Sequence, residues 1–337
     1  MALRPFIVAE LSANHRQDIE IAKKSILVAK QAGADAVKIQ TYKPSCLTLQ
    51  HTSDFFKIKG GLWNGSYLFD LYSEAMLPWE WHLELFDYAK AVGIEIFSSP
   101  FSLEALEFLE SLKCPRYKIA SFECIDFDFV SAVARKQKPI IISTGIATKD
   151  EIQEAIKRCK EVGNNDITLL QCTSAYPAEI REANLKVMMS FKNEFGVKVG
   201  LSDHTLGDFC ALLATALGAD MIEKHFILDK SLGGADCDFS MDQKEFKSMC
   251  QAINLAVEAI GNGKIREDES EVSKKRIFAR SLWVIKPIKK GEVITPDHIA
   301  SLRPYVGMQP KYLSQVIGKQ ATRNLDFGEP LQQEDIM

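Results

Sequence analysis

Phe6-Ile-Val-Ala-Glu-Leu11, then Ile19, Ala22, Ile26 and Ala29 at helical spacing, then Gly33 and Ala36-Val-Lys-Ile-Gln-Thr41 form the stretch that decides the fold class. An apolar run, an amphipathic segment closed by glycine and a second apolar run read as strand, helix and strand. The unit recurs along the chain. Ile94–Ser98 precedes a helix over Ser102–Leu112, and Tyr117–Ser121 precedes one over Phe127–Arg135. Pro139–Ser143 leads into Lys149–Val162, Ile167–Gln171 into Asn184–Phe195, and Val197–Ser202 into Asp208–Leu217. Met221–Phe226 leads, after a loop, into Gln243–Ile260, while Tyr42–Leu77 reads as a long loop. Eight such units in about 260 residues have the size and rhythm of an α/β (β/α)8 TIM barrel. The competing doubly wound sheet opens with a glycine-rich turn after its first strand, whereas Ser12-Ala-Asn-His15 holds no glycine.

The barrel is assigned to residues 1–262, and a polar, charged linker to 263–279. A small C-terminal domain at 280–337 follows, with short strands such as Ser281–Ile285 separated by turns. With fewer than about 60 residues, that domain is expected to lean on a larger body. The net charge of −4 and the absence of a basic stripe exclude nucleic acid as a partner. No run reaches the roughly 20 apolar residues of a membrane span, and Met1–Glu10 lacks the character of a signal peptide. The eight cysteines include no Cys-x-x-Cys pair and read as reduced thiols of a cytoplasmic protein.

In a barrel of this class, functional groups stand at the C-terminal ends of the strands. Lys38 and Gln40 share one face of the second strand, and Lys118, Ser121 and Glu123 repeat the theme on the fourth. Ser98-Ser99 and Ser143-Thr144 end the third and fifth. Lysines and hydroxyls converging on one rim suit a phosphate or carboxylate. Helix capping is the alternative for any single serine. His204 and His225 end the seventh and eighth strands, so adjacent staves would bring two imidazoles together to hold a divalent metal with open positions. Two satisfied polar histidines are the alternative there, and a closed structural zinc site lacks its further ligands. Glu10 and Glu123 bind sugar hydroxyls, move protons or neutralise the lysines. Asp236 is a turn residue or a hydroxyl acceptor.

Taken in order, Ala9-Glu-Leu-Ser-Ala-Asn-His15, Gly33-Ala-Asp-Ala-Val-Lys-Ile-Gln-Thr41, Ser98-Ser-Pro-Phe101, Tyr117-Lys-Ile-Ala-Ser121, Ser143-Thr-Gly145, Gly200-Leu-Ser-Asp-His-Thr205 and Glu223-Lys-His-Phe226 resemble the sialic acid synthase family, the phosphoenolpyruvate-condensing nonulosonate synthases. Residues 280–337 resemble its antifreeze-like (SAF) domain. Gly61-Leu-Trp-Asn-Gly65, Pro78-Trp-Glu-Trp-His82 and Ile119-Ala-Ser-Phe-Glu123 are most like the pseudaminic acid branch. Phe122 stands where sialic acid synthases carry glycine, which points to a more apolar, deoxygenated sugar.

The resemblance implies that phosphoenolpyruvate condenses with an N-acetylated amino-sugar aldehyde, assisted by Mn2+, Mg2+ or Co2+ on His204 and His225. Lys38, Ser99, Lys118, Ser121, Ser143 and Ser202 match donor-binding positions, and Ser174 replaces the family's phosphate-site Asn. Glu10, Gln40, Tyr176 and Asp236 match the sugar site, and Glu123 matches an acid/base position. Glu10, Glu123 and Lys118 form the catalytic assignment. The resemblance also implies a domain-swapped homodimer in which Arg303 reaches the partner's sugar, and a role in bacterial surface-glycan or flagellin decoration. A Schiff-base aldolase using Lys38 or Lys118 is the enzymatic rival, and a carbohydrate-binding protein the non-catalytic one.

Overall fold

The computed structural model describes residues 4–265 and 276–337. They fall in two compact units, Met1–Asn262 and Gly263–Met337. Most of the linker expected at 263–279 lies outside the described residues.

In the first unit, eight parallel strands close on themselves in sequence order. They are β1 (Phe6–Glu10), β2 (Ala36–Thr41), β3 (Glu95–Pro100), β4 (Tyr117–Ile119), β5 (Ile140–Ser143), β6 (Ile167–Cys172), β7 (Lys198–Asp203) and β8 (Met221–His225). The helices are α1 (Ile19–Ala32), α2 (Pro44–Leu47), α3 (Leu68–Ala75), α4 (His82–Val92), α5 (Leu103–Ser111), α6 (Phe127–Ala134), α7 (Lys149–Glu161), α8 (Val187–Phe195), α9 (Phe209–Ala216) and α10 (Gln243–Ile260). The expected loop Tyr42–Leu77 therefore carries two helices, α2 and α3. Both are too short for a helical period to stand out in the sequence. The helix expected from Asn184 begins at Val187, after a 3-10 turn at Ile180–Glu182.

Local chemistry sets the helix ends. The Asp18 side chain accepts from the amides of Glu20 and Ile21, and Gly33 closes α1 at φ 107°, in the left-handed region. Capping boxes start α7 (Thr148 with Glu151) and α10 (Asp242 with Glu245). Ile26 and Ala29 of α1 and Leu85 and Ala89 of α4 join Ile7, Val37 and Ile39 of the strands in one continuous buried core. Each such large aliphatic side chain contributes roughly 1.5–3 kcal/mol by leaving water. Gly200 in β7 is required by space, because a Cβ there would come within 2.7 Å of Leu170 Cδ2 and closer still to the Met221 carbonyl oxygen.

Closure sets the rim. Glu10 lies in register with both Lys38 of β2 and His225 of β8, and Ser202 with Glu223. The second unit pairs β9 (Ser281–Val284) antiparallel with β10 (Ile299–Leu302) and adds α11 (Leu313–Val316). Leu282, Val284, Ile294, Val316, Leu325 and Leu331 give it an apolar core of its own. Among the described residues, no helix is long and apolar enough to cross a membrane, and all eight cysteines are unpaired thiols.

Candidate active site

At the C-terminal mouth of the barrel the inward positions carry charge instead of hydrocarbon. Lys38 Nζ lies 2.8 Å from Glu10 Oε2, 3.5 Å from Glu223 Oε1 and 3.5 Å from Ser99 Oγ. Lys118 Nζ is 3.6 Å from Glu223 Oε1, which also accepts from Ser202 Oγ at 3.0 Å. Gln40 donates to Glu10 Oε1 at 2.8 Å and to Ser12 Oγ at 2.9 Å. All of these groups are buried except Gln40, which is half-buried. Burial raises the Glu10 carboxyl and lowers the Lys118 ammonium, whereas the two lysines outweigh burial at Glu223 and hold it ionised. The second oxygen of Glu223, Oε2, is buried without a hydrogen-bond partner. Two buried lysines facing two buried carboxylates give a site that can exchange its internal ion pairs for those of an anionic ligand.

Beside this cluster lies a set of hydroxyls. The Gly145 amide donates to Ser121 Oγ at 3.2 Å, and Ser143 Oγ and Ser174 Oγ are buried without partners. A Cβ at Gly145 would fall 2.3 Å from Ser174 Oγ and 2.9 Å from Ser121 Oγ, so glycine permits the close approach. None of Ser99, Ser121, Ser143 and Ser202 caps a helix. Capping falls instead to Ser102, Asp126 and Thr148. These hydroxyls are therefore not taken up in helix capping, and Ser174 stands beside Ser121.

His204 and His225 do meet. Their rings lie 5.2 Å apart, edge to face. His204 Nδ1 is 2.9 Å from the Thr173 carbonyl, which fixes Nδ1–H as a donor and leaves the Nε2 lone pair for a ligand. His225 Nδ1 is buried without a hydrogen-bond partner, 3.9 Å from Asp236 Oδ2. Cys172 Sγ lies 3.9 Å from His204 Nδ1. Burial raises that thiol, but His204, Ser121 and Lys118 outweigh it and bring it to about 7. The same contact raises His204, so a divalent ion there would compete with a proton. Among the described residues no three His, Cys, Asp or Glu side chains form a ready cage. The two imidazoles suit an open site whose other positions fall to water or substrate.

Aromatic rings wall this corner. Tyr176 packs 4.4 Å from His204, and Phe239 packs 4.8 Å from His225 and 5.3 Å from Tyr176. Trp63, from the long excursion between β2 and α4, lies 5.7 Å from Tyr176 and donates to the Ala235 carbonyl at 3.1 Å. Asp236 follows directly and accepts from the Ala13 amide at 3.3 Å. One Glu123 oxygen is inaccessible and unpartnered, and burial raises its carboxyl to about 7 despite the pull of Lys118. Phe122 is largely exposed, at 59%. Arg303 belongs to the second unit, directly after β10, where it is exposed and has no ion-pair partner among the described residues.

A model of the NeuB family matches residues 25–265. The chain belongs to the NeuB family. A model of the SAF domain matches residues 279–337. The chain is 54% identical to the pseudaminic acid synthase of Helicobacter pylori, over 98% of both chains. It is 49% identical to that of Campylobacter jejuni, over 98% of this chain and 96% of the relative. Among solved structures, N-acetylneuraminic acid synthetase from Leptospira borgpetersenii, in complex with citrate, has a TM-score of 0.73 at 28% identity. It covers 81% of this chain and 90% of that one.

Within this NeuB-family barrel, sequence reasoning passed over Glu223. Its signal was present, since period-two alternation puts Glu223 on the same face as His225. Cys172 shares a face with Leu170 at the end of β6, where a cysteine reads as a small apolar residue. Trp63 could not be placed from sequence, because the carbonyl it binds is 172 positions away.

Proposed function

We propose that the chain condenses phosphoenolpyruvate with 2,4-diacetamido-2,4,6-trideoxy-altrose and water to give pseudaminic acid and phosphate. The full-length likeness to proteins named pseudaminic acid synthase carries this reading. The mouth of the barrel supplies groups of the right chemistry. Lys38, Lys118, Ser99, Ser202, Ser121 and Ser143, with the Gly145 amide and Ser174, would bind the donor's phosphate and carboxylate. Point charges neutralise the anion and hydroxyls fix its direction. Glu10 and Gln40 on one side, and Asp236 and Tyr176 on the other, would accept and orient the sugar's hydroxyl and amide groups.

In the reaction, C3 of phosphoenolpyruvate forms a bond to the aldehyde carbon, whose oxygen takes a proton. Water adds at C2, and phosphate leaves by C–O cleavage. Glu123, with its carboxyl near 7, can give or take a proton at neutral pH. His204 and His225 would hold Mn2+, Mg2+ or Co2+, and such an ion supplies Lewis-acid polarisation of the aldehyde. The reading includes a homodimer in which the partner's C-terminal domain brings its Arg303 to the sugar. Support for this is the exposed guanidinium, which has no ion-pair partner among the described residues. The unpaired thiols favour a cytoplasmic setting.

The test offers the trideoxy-altrose, N-acetylmannosamine and the legionaminic acid precursor side by side, with products read by mass spectrometry and released phosphate counted. Turnover of N-acetylmannosamine alone would overturn the choice of acceptor. EDTA should abolish turnover and Mn2+ restore it. The low pKa of Lys118 keeps the imine route worth one control: borohydride trapping of a covalent adduct on Lys118 or Lys38, with activity indifferent to EDTA, would replace this mechanism.

A further inference from the structure

Lys224 and Asp203 are among the most deeply buried residues of the chain, with side-chain exposures of 0% and 1%. They do not face the barrel mouth. Glu223 and His225 on β8 and Ser202 on β7 take the inward positions, so alternation turns Lys224 and Asp203 to the outer face beneath the helices. Helix α9 packs against β7 and β8 on that side and buries Ala211 and Ala214 in the core. Removing two full charges from water is costly, and a pair of apolar side chains in the same space would serve packing at least as well.

The contacts show what the pair holds. Lys224 Nζ donates to Asp203 Oδ2 at 2.7 Å and also to the Thr205 carbonyl. Asp203 Oδ1 accepts from the Thr205 amide at 2.9 Å and from Thr205 Oγ1 at 2.7 Å. His204 is thus spanned by bonds from the residue before it to the residue after it, and Lys224, directly before His225, closes the link across the strands. Asp203 and Lys224 are also a register pair, the last between β7 and β8. The next residue of the chain after each of them is the histidine, His204 directly beyond β7 and His225 at the end of β8.

We propose that Asp203, Lys224 and Thr205 form a positioning clamp that sets the separation and orientation of His204 and His225. The clamp touches neither donor nor acceptor and acts only through the two imidazoles. It rests on the two-histidine metal site of the proposed function. A two-ligand site has no third protein ligand to hold its geometry, so the spacing of the two rings must come from the backbone behind them.

The experiment titrates Mn2+ alone into the full chain by calorimetry, alongside melting temperature and steady-state kinetics. In the double variant Asp203→Leu/Lys224→Met, apolar groups replace the charges. It should keep a melting temperature within a few degrees of wild type, yet bind Mn2+ at least about tenfold more weakly. Its kcat should recover as Mn2+ is raised, with the KM for phosphoenolpyruvate within about twofold of wild type. Wild-type Mn2+ affinity in a folded double variant would overturn the clamp. Should the double variant not fold, Thr205→Val removes one bond to Asp203 and leaves the charges paired; it should weaken Mn2+ binding about threefold, and an unchanged affinity would likewise overturn the proposal. If the wild-type chain itself binds no Mn2+, the metal site fails and the clamp with it.

Discussion

Glu123→Gln should stabilise the barrel at alkaline pH while impairing turnover. The wild-type carboxyl is raised to about 7 from an ordinary value of 4.5, chiefly by burial, and one of its oxygens has neither solvent nor partner. The folded state therefore retains a proton that the unfolded chain releases between pH 4.5 and 7. The sign follows: the contribution favours folding below pH 4.5 and is lost as pH rises through 7. The rise from 4.5 to about 7 corresponds to at most ~3.4 kcal/mol. The side chain is half-buried overall, and solvent screening reduces this to about 2 kcal/mol. Glutamine has the carboxyl's shape without its charge, so it should recover that amount at pH 8. For a barrel of this size, about 2 kcal/mol raises the melting temperature by roughly 4–8 °C. Thermal unfolding of wild type and variant at pH 8 and pH 5 measures the difference, which should shrink to under about 1 kcal/mol at pH 5, where the wild-type group is protonated. A variant no more stable than wild type at pH 8, or equally stabilised at both values, would refute the buried-charge reasoning. Full turnover in Glu123→Gln would remove the residue from the proton transfers.

Two further outcomes are expected. Arg303→Ala should raise the KM for the sugar by about tenfold and leave that for phosphoenolpyruvate within twofold, since a guanidinium that meets only the acceptor cannot weaken the donor; equal changes would sink the assignment. His82 is fully buried, 2.8 Å from Thr41 Oγ1 and 3.2 Å from the Pro78 carbonyl, and burial lowers its pKa to about 4. Only the unfolded chain takes up that proton between pH 6.5 and 4, so stability should fall across this window by up to ~1.4 kcal/mol per pH unit. His15, also near 4, adds to the effect. Melting temperatures from pH 7 to 5 in the Glu123→Gln background, which removes that residue's opposing titration, check this. A flat profile that His82→Asn leaves unchanged would contradict it.

Much of the candidate site can be read from polar residues that interrupt apolar strands. Lys38, Lys118, His204 and His225 stand out because charge or imidazole at the end of a strand covered by helices is costly to bury without a partner or a role. The same rule reaches Glu223 once alternation from His225 is followed. It reaches Ser121 and Ser143 but not their assembly with Ser174, which depends on Gly145 admitting Ser121 and Ser174 from two different loops. Nor does it reach Trp63, whose excursion carries no period and whose partners come from the loops after β6 and β8.

Outside the stretch that holds α2 and α3, the order of residues alone determines which segments become strands and helices, because apolar spacing and caps act over a few positions. It also determines which side chains share a face of a strand. Which faces confront one another was decided only when the sheet closed. Closure sets β1 beside β8 and Glu10 opposite both Lys38 and His225, and it turns Lys224 onto Asp203 behind the histidines. Those pairings join residues up to 215 positions apart. They follow from strand register and from the cost of leaving buried charge unpaired, neither of which is written in any local stretch of the chain.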